Sequence, residues 1–169
     1  CVSYVKNNGL IDIRGGSMVG NPGTAAKIFE TLAKAGINVM MISQNPSESS
    51  ITIVVKNTDL DKATSSLEME LLGKIIKKLE VTTDVAIIAL IGSGMRGTVG
   101  VASKVFSAIQ KKKVNVSMIT QGSSELNLAF VVKNSDTNIA VRALHDEFVL
   151  DKINWDKIIS ENNFNQAYS

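Results

Sequence analysis

Apolar positions recur along the chain with two periods, one typical of β-strands and one typical of α-helices. Residues 10–14 alternate between apolar and polar side chains after Leu10, whereas Ile28 and Leu32 stand four positions apart, as on one helix face. Patterns of the first kind, together with short apolar runs, predict strands at residues 2–6, 10–14, 37–43, 51–56, 75–82, 84–91, 114–120 and 126–133. Patterns of the second kind predict four helices, at about residues 22–35, 60–72, 99–112 and 136–148.

The first of these helices is predicted to begin after Asn21, which would act as its N-cap, with Pro22 in its first turn. Gly36 would then end it. The second helix would be capped by Thr58 or Asp59, with Leu60, Ala63, Leu67 and Leu71 on one face.

The whole pattern occurs twice. Residues 18–59 return as residues 95–136 with an offset of 77 and no gap, and 19 of the 42 aligned positions are identical. Such self-similarity indicates an internal duplication. Each copy reads as strand–helix–strand–strand–helix–strand, which predicts an α+β fold of two ferredoxin-like βαββαβ units.

The second copy lacks a strand after its last helix, so the strand at residues 2–6 is predicted to complete it. The first unit would then be nested inside the second. The predicted units are residues 10–83 for unit 1 and residues 1–9 plus 84–150 for unit 2, with residues 151–169 as a C-terminal tail.

Composition narrows the class of protein further. The 18 basic and 16 acidic residues give a net charge of +2, which offers no field for nucleic acid, and no apolar run is long enough to cross a membrane. The single cysteine, Cys1, excludes an internal disulfide and fits a reducing, cytoplasmic location. Because units of about 75 residues have small cores, we expect a homodimer. The chain begins without Met, in a strand-like run, so we expect it to be part of a longer protein.

A glycine pattern at residues 92–97 resembles a dinucleotide fingerprint, since it follows an apolar strand and precedes a helix. Its surroundings argue against that function, because the next strand ends without an acid and is followed by a hairpin. Catalytic constellations are also missing from the sequence. The one histidine, His145, and the one cysteine do not make a usual zinc site, so neither a metal nor a catalytic residue is expected.

Both copies place the pattern Met-x-Gly-x-x-Gly directly before a helix, from Met18 and from Met95. A helix N-terminus offers unpaired amides and a partial positive charge, which suits a carboxylate or a phosphate. The glycines are equally consistent with a tight turn that only relieves steric crowding. The neighbouring turns at residues 44–48 and 121–125 are polar with one acid, which favours a zwitterion such as a free amino acid.

Residues 18–29, 37–44, 95–106 and 116–128 are similar to the tandem ACT regulatory region at the C-terminus of aspartate kinases. The resemblance covers about residues 2–150. It implies two nested ACT units and a kinase domain earlier in the same chain, which phosphorylates aspartate with ATP. ATP and magnesium would belong to that kinase domain, so no cofactor and no catalysis are expected in this fragment.

The resemblance also implies an amino-acid effector bound between the loop before the first helix and the second strand, at an interface of ACT units. Carried onto unit 1, the effector-binding residues are Met18, Gly20, Asn21, Pro22, Gly23, Asn38, Val39, Met40, Gln44, Ser47 and Glu48. A possible second site in unit 2 comprises Met95, Gly97, Thr98, Gly100, Asn115, Val116, Gln121, Ser124 and Glu125. Lysine-inhibited relatives tend to carry an acid at the position of Met40, so threonine is favoured over lysine.

Three functions therefore remain open. The first is an allosteric regulatory domain of aspartate kinase, which binds an amino acid for feedback inhibition of lysine and threonine biosynthesis. The second is a stand-alone ACT protein that senses an amino acid and acts on another partner. The third is a nucleotide-dependent enzyme. Under the first, unit 1 is expected to hold the effector because Asn21 and Pro22 prepare its loop, while unit 2 builds the dimer.

Overall fold

The computed structural model describes residues 1–15 and 18–148, so the expected tail at 151–169 and the last two residues of predicted unit 2 lie outside the described residues. The strands are β1 Val2–Arg14, β2 Met41–Gln44, β3 Ser50–Lys56, β4 Lys78–Ile91, β5 Met118–Gln121 and β6 Asn127–Lys133. The helices are α1 Thr24–Lys34, α2 Leu60–Leu71, α3 Val101–Lys111 and α4 Thr137–Phe148. The predicted α+β class is confirmed.

All six strands belong to one antiparallel sheet with the order β2-β3-β1-β4-β6-β5. The second half of β1 pairs with β3, as between Ile11 and Ile53. The first half of β1 pairs with the second half of β4, as between Val2 and Leu90. The N-terminal strand thus completes the sheet of the second copy, and the predicted nesting of unit 1 inside unit 2 is confirmed.

The prediction of separate strands at 2–6 and 10–14, and at 75–82 and 84–91, is wrong. Each pair is one long strand, and the predicted breaks between the strands are kinks at Asn7 and Asp84, with φ of 61° and 57°. Asn and Asp tolerate the left-handed region, so the chain changes direction without leaving the sheet. These kinks lie at equivalent positions of the two copies, where β1 and β4 pass from one unit to the other.

Both loop-following helices begin later than predicted. Gly23 and Gly100 are the N-cap residues, with φ of 85° and 88°, so Asn21 and Pro22 belong to the loop and not to α1. A left-handed residue cannot continue a helix backwards, and only glycine adopts this conformation without a steric cost. The strands β2 and β5 also begin later, at Met41 and Met118.

The helices pack on one face of the sheet and form a separate core with each unit. The predicted inner face of α2, comprising Leu60, Ala63, Leu67 and Leu71, is buried as expected. A third cluster lies on the opposite sheet face and includes Met41 and Met118. The outer strands β2 and β5 contact each other there, because the twisted sheet curls and brings its two ends together.

Candidate functional site

A concavity of about 300 Å³ lies where the loop before α1 meets the hairpin between β2 and β3. Its lining comprises Met18, Gly20, Asn21, Pro22, Gly23, Thr24, Ala25, Gln44, Glu48 and Ile51. The structure therefore brings all five predicted loop residues together with Gln44 and Glu48. Thr24, Ala25 and Ile51 are the lining residues that the sequence did not suggest. The first two would follow from a helix start placed by Gly23 and not by Asn21.

The start of α1 forms part of the wall of this concavity. The first helical hydrogen bond runs from the Lys27 amide to the Gly23 carbonyl, at 3.0 Å. The N-cap residue Gly23 has no side chain that could cap the helix amides preceding Lys27. Ala25, one of the residues preceding that bond, lines the concavity. Uncapped amides carry the positive end of the helix dipole, so this end suits a carboxylate.

Glu48 connects the hairpin to the loop. It has φ of 55°, and its Oε2 atom accepts a hydrogen bond from the Gly20 amide at 2.9 Å. The repeat has the same clasp, since Oε2 of Glu125 accepts from the Gly97 amide at 2.7 Å. One amide of the loop that was expected to receive an anion is therefore already bonded to a carboxylate of the protein. Glu48 is also the only charged side chain among the lining residues, so it gives the site a negative charge.

The remaining residues predicted for unit 1 do not line this concavity. Asn38 is exposed, Val39 packs against the core of unit 1, and the Met40 amide donates to the Val54 carbonyl at 2.8 Å. The Ser47 hydroxyl forms a hydrogen bond with that of Ser49, at 2.7 Å. The sequence did not reveal that these residues lie outside the concavity, because strand pairing decides which amides of an extended segment remain available.

The corresponding concavity in unit 2 has a volume of about 340 Å³ and is lined by Met95, Gly97, Thr98, Val99, Gly100, Val101, Ala102, Gln121 and Glu125. Asn115, Val116 and Ser124, which were predicted for this site, lie outside it, and so does Arg96. The Thr98 hydroxyl donates to the Gly94 carbonyl at 2.8 Å. Val99, which replaces Pro22, is 99% exposed.

Within residues 1–15 and 18–148, no cluster of three or more His, Cys, Asp or Glu side chains is arranged to hold a metal ion. In the same part of the chain, no helix combines the length and the apolar character needed to cross a bilayer.

The ACT domain family model matches residues 11–71 and 88–148, which together make up most of the chain. This chain belongs to the ACT domain family. Each matched segment begins in a central strand and ends at the second helix of its unit. The family therefore accounts for both copies of the repeat.

Similar proteins place this ACT pair in a narrower group. The bifunctional aspartokinase/homoserine dehydrogenase 1 of Arabidopsis thaliana is 35% identical over 152 residues, which are 88% of this chain and 17% of that relative. The regulatory subunit of aspartate kinase from Thermus flavus has a TM-score of 0.76 at 28% identity, over 87% of this chain and 96% of that one. Aspartokinase III of E. coli, in complex with lysine and aspartate, has a TM-score of 0.70 at 30% identity, over 86% of this chain and 32% of that one. The ACT pair is thus of the type found in the C-terminal region of aspartokinases.

The chain spans less than a fifth of the length of the Arabidopsis relative. The similarity therefore concerns the ACT region alone and does not extend to the enzymatic parts of that relative.

Proposed function

We propose that this ACT pair is the regulatory region of an aspartate kinase and that unit 1 binds a free amino acid as an inhibitory effector. The observation that supports this most directly is the composition of the concavity beside α1. Residues at the start of α1, where a helix dipole suits a carboxylate, line the same space as Glu48, whose carboxylate suits an ammonium group. An α-amino acid carries both groups at a fixed short separation, and few other small metabolites do.

Threonine is the effector that we favour. Once Glu48 binds the α-ammonium group, the lining offers no second carboxylate for the side-chain ammonium of lysine. Asn21 and Gln44 offer neutral partners that suit a hydroxyl group. Lysine remains the main competitor, because one similar structure, E. coli aspartokinase III, is a complex with lysine and aspartate.

The proposal includes the setting of this region. A kinase domain in the same chain would bind ATP and magnesium, and effector binding would reduce its activity as feedback on amino-acid biosynthesis. We further propose a homodimer built through the ACT units, in the cytoplasm. The outer strands β2 and β5 each have one unpaired edge and expose Ile42 and Ile119 by 46% and 47%. Light scattering is expected to give twice the mass of the chain, and a monomer mass at micromolar concentration would contradict this part.

The deciding experiment is calorimetric titration of the chain with threonine, lysine, methionine and aspartate. Threonine is expected to bind most tightly. The Glu48→Gln variant keeps an acceptor for the Gly20 amide but removes the charge, so threonine affinity is expected to fall about tenfold, as for the loss of a charge-assisted hydrogen bond. The matched variant Glu125→Gln in unit 2 is expected to change threonine affinity little.

Two results would overturn this proposal. Binding of lysine without threonine would show that the ligand is wrong, and equal losses in Glu48→Gln and Glu125→Gln would show that unit 1 is not the distinctive site. ATP binding or aspartate phosphorylation by this fragment would contradict its non-catalytic role.

A stand-alone regulatory protein is the second candidate function. The Thermus flavus regulatory subunit supports it, because nearly the whole of that chain is covered by this one. Mass determination of the protein expressed from its natural gene separates the two candidates, since a kinase domain in the same chain adds several hundred residues.

A further inference from the structure

An apolar groove of about 630 Å³ lies on unit 2, between the end of β4 and the start of α3. Ile91 and Gly92 line one part of it, and Met95, Val99 and Phe148 line another. Ile91 is 41% exposed and Val99 is 99% exposed, although both are aliphatic. The groove is distinct from the concavity of unit 1 and adjoins that of unit 2, with which it shares Met95, Thr98, Val99 and Val101. The argument for its occupant does not depend on the proposed function.

The same place in unit 1 is covered by the chain that follows α2. Ile76 is fully buried there in the core of unit 1, and its amide donates to the Leu71 carbonyl at 3.0 Å. The chain that follows α2 also contacts the C-terminal end of β1. The Lys77 amide donates to the Arg14 carbonyl at 2.8 Å, and a Cβ atom on Gly15 would meet the Ile75 carbonyl oxygen at 2.1 Å.

This cover explains why equivalent residues differ in exposure between the units. Gly15 and Met18 are buried, with Met18 only 3% exposed, while their counterparts Gly92 and Met95 are partly exposed. Leu71 at the end of α2 is buried, but Phe148 at the end of α4 is not. In unit 2, Cys1 donates to the Ile91 carbonyl as Lys77 does to that of Arg14, but the described residues include no counterpart of Ile75 and Ile76 as a cover.

We propose that the chain following α4 folds back into this groove and that Ile153 fills it as Ile76 does in unit 1. Phe148, the last residue described in α4, lines the groove, so the chain that follows it starts beside the groove. The repeat offset of 77 aligns Ile153 with Ile76 and Lys152 with Ile75, so the second copy has an isoleucine at the position equivalent to the buried Ile76. The occupant is thus residues 149–154 of the same chain.

The single cysteine offers a direct test. Cys1 lines the groove, so the rate at which its thiol reacts with a maleimide in the 169-residue chain reports on the cover. Ile153→Asp places a charge in an apolar groove and is expected to raise this rate about tenfold. Phe164→Asp, which lies beyond the covering segment, is the matched control and is expected to leave the rate unchanged.

A variant on the groove side tests the same contact from the opposite direction. Gly92→Ala is expected to raise the rate as Ile153→Asp does, because its Cβ atom would meet the Lys152 carbonyl just as one on Gly15 would meet that of Ile75. The described part of unit 2 tolerates this Cβ atom, since the nearest atom, Cγ of Met95, is 3.8 Å away. Circular dichroism serves as the check that the variants remain folded. Acrylamide quenching of Trp155, the only tryptophan, is expected to increase in both.

Unchanged maleimide and quenching rates in Ile153→Asp and Gly92→Ala would overturn the proposal. An increase in Phe164→Asp without one in Ile153→Asp would also overturn it, because a later part of the tail would then be the cover. Protection of Cys1 that grows with protein concentration would identify a second copy as the occupant instead.

Discussion

Glu48 and Glu125 hold the loops before α1 and α3 through the same contact, a carboxylate oxygen on a glycine amide. The two sites therefore differ in the residues that follow those glycines. In unit 2 the Thr98 hydroxyl donates to the Gly94 carbonyl, and the equivalent residue of unit 1, Asn21, lines the concavity with an amide side chain. A difference in ligand binding between the copies is expected to originate at this position.

Asn21→Ala is expected to weaken threonine binding several-fold, because a neutral hydrogen bond contributes about 0.5–1.5 kcal/mol net. Calorimetric titration measures the effect. The matched change in the other copy, Thr98→Ala, is expected to alter threonine affinity little. If Thr98→Ala abolishes binding while Asn21→Ala does not, the effector site has been assigned to the wrong unit.

At the scale of elements, the strand ends are held by close backbone contacts and by ion pairs. Gly15 follows β1 at a point where the chain after α2 leaves no room for a side chain. Along the same edge, Arg14 of β1 forms ion pairs with Asp12 at 2.6 Å and with Glu80 of β4 at 3.0 Å. These contacts connect the first and last strands of unit 1.

Gly15→Ala is expected to destabilise the protein by about 2 kcal/mol or more, because the added Cβ atom meets a backbone oxygen that cannot rotate away. Urea unfolding followed by circular dichroism measures the change. Gly94→Ala is a suitable control, since a Cβ atom there meets nothing within 4 Å, and its stability is expected to remain close to that of the parent. Equal stability of the two variants would show that the segment after α2 is not held against Gly15.

The ion pairs predict a dependence on pH. A hydrogen bond from Lys78 and the charge of Arg14 hold the pKa of the Glu80 carboxyl below its ordinary value of 4.5. The resulting stabilisation is complete above the ordinary value and is lost as the pH falls through the lowered one. Glu80→Gln is therefore expected to flatten the loss of stability on the acid side of pH 4.5, as measured by urea unfolding at several pH values. Glu68→Gln, on the outer face of α2, is the control and should keep the slope of the parent.

At the scale of the whole molecule, β1 and β4 run through both units, and a shared cluster on the open sheet face joins them. Unit 2 has no complete sheet without the first half of β1, and β4 continues without a break from unit 1 into unit 2. The two ACT units are therefore expected to unfold as one cooperative body, in spite of their separate helix-facing cores.

Leu32→Ala tests this cooperativity. Leu32 is buried in the core of unit 1, and its truncation is expected to cost about 2–5 kcal/mol. Scanning calorimetry is expected to show a single transition at a lower temperature, with equal calorimetric and van't Hoff enthalpies. Two separate transitions, one of them at the temperature of the parent, would show that unit 2 is stable without unit 1.

Much of the fold could be predicted because the same hydrophobic pattern occurs in both copies of the repeat. The apolar face of α2 follows from helical spacing, since a side chain four positions on returns to the same side of the helix. The nesting follows from counting strands, because the second copy lacks one and only the N-terminal segment can supply it. The loop residues of the candidate site follow from the shared Met-x-Gly-x-x-Gly pattern.

Tertiary structure decided what depends on contacts between distant segments. Asn and Asp are residue types common in turns, yet the strand segments on both sides of Asn7 and of Asp84 are paired. The sheet therefore continues past each of these residues. Met40 was predicted to bind the effector, but its amide already donates a hydrogen bond to the Val54 carbonyl in the sheet. The clasp of Glu48 on Gly20 spans 28 positions, and local sequence carries no signal for such a contact. Side-chain periodicity is a local property, whereas the hydrogen-bond partner of each amide is determined only when the strands pair in the folded sheet.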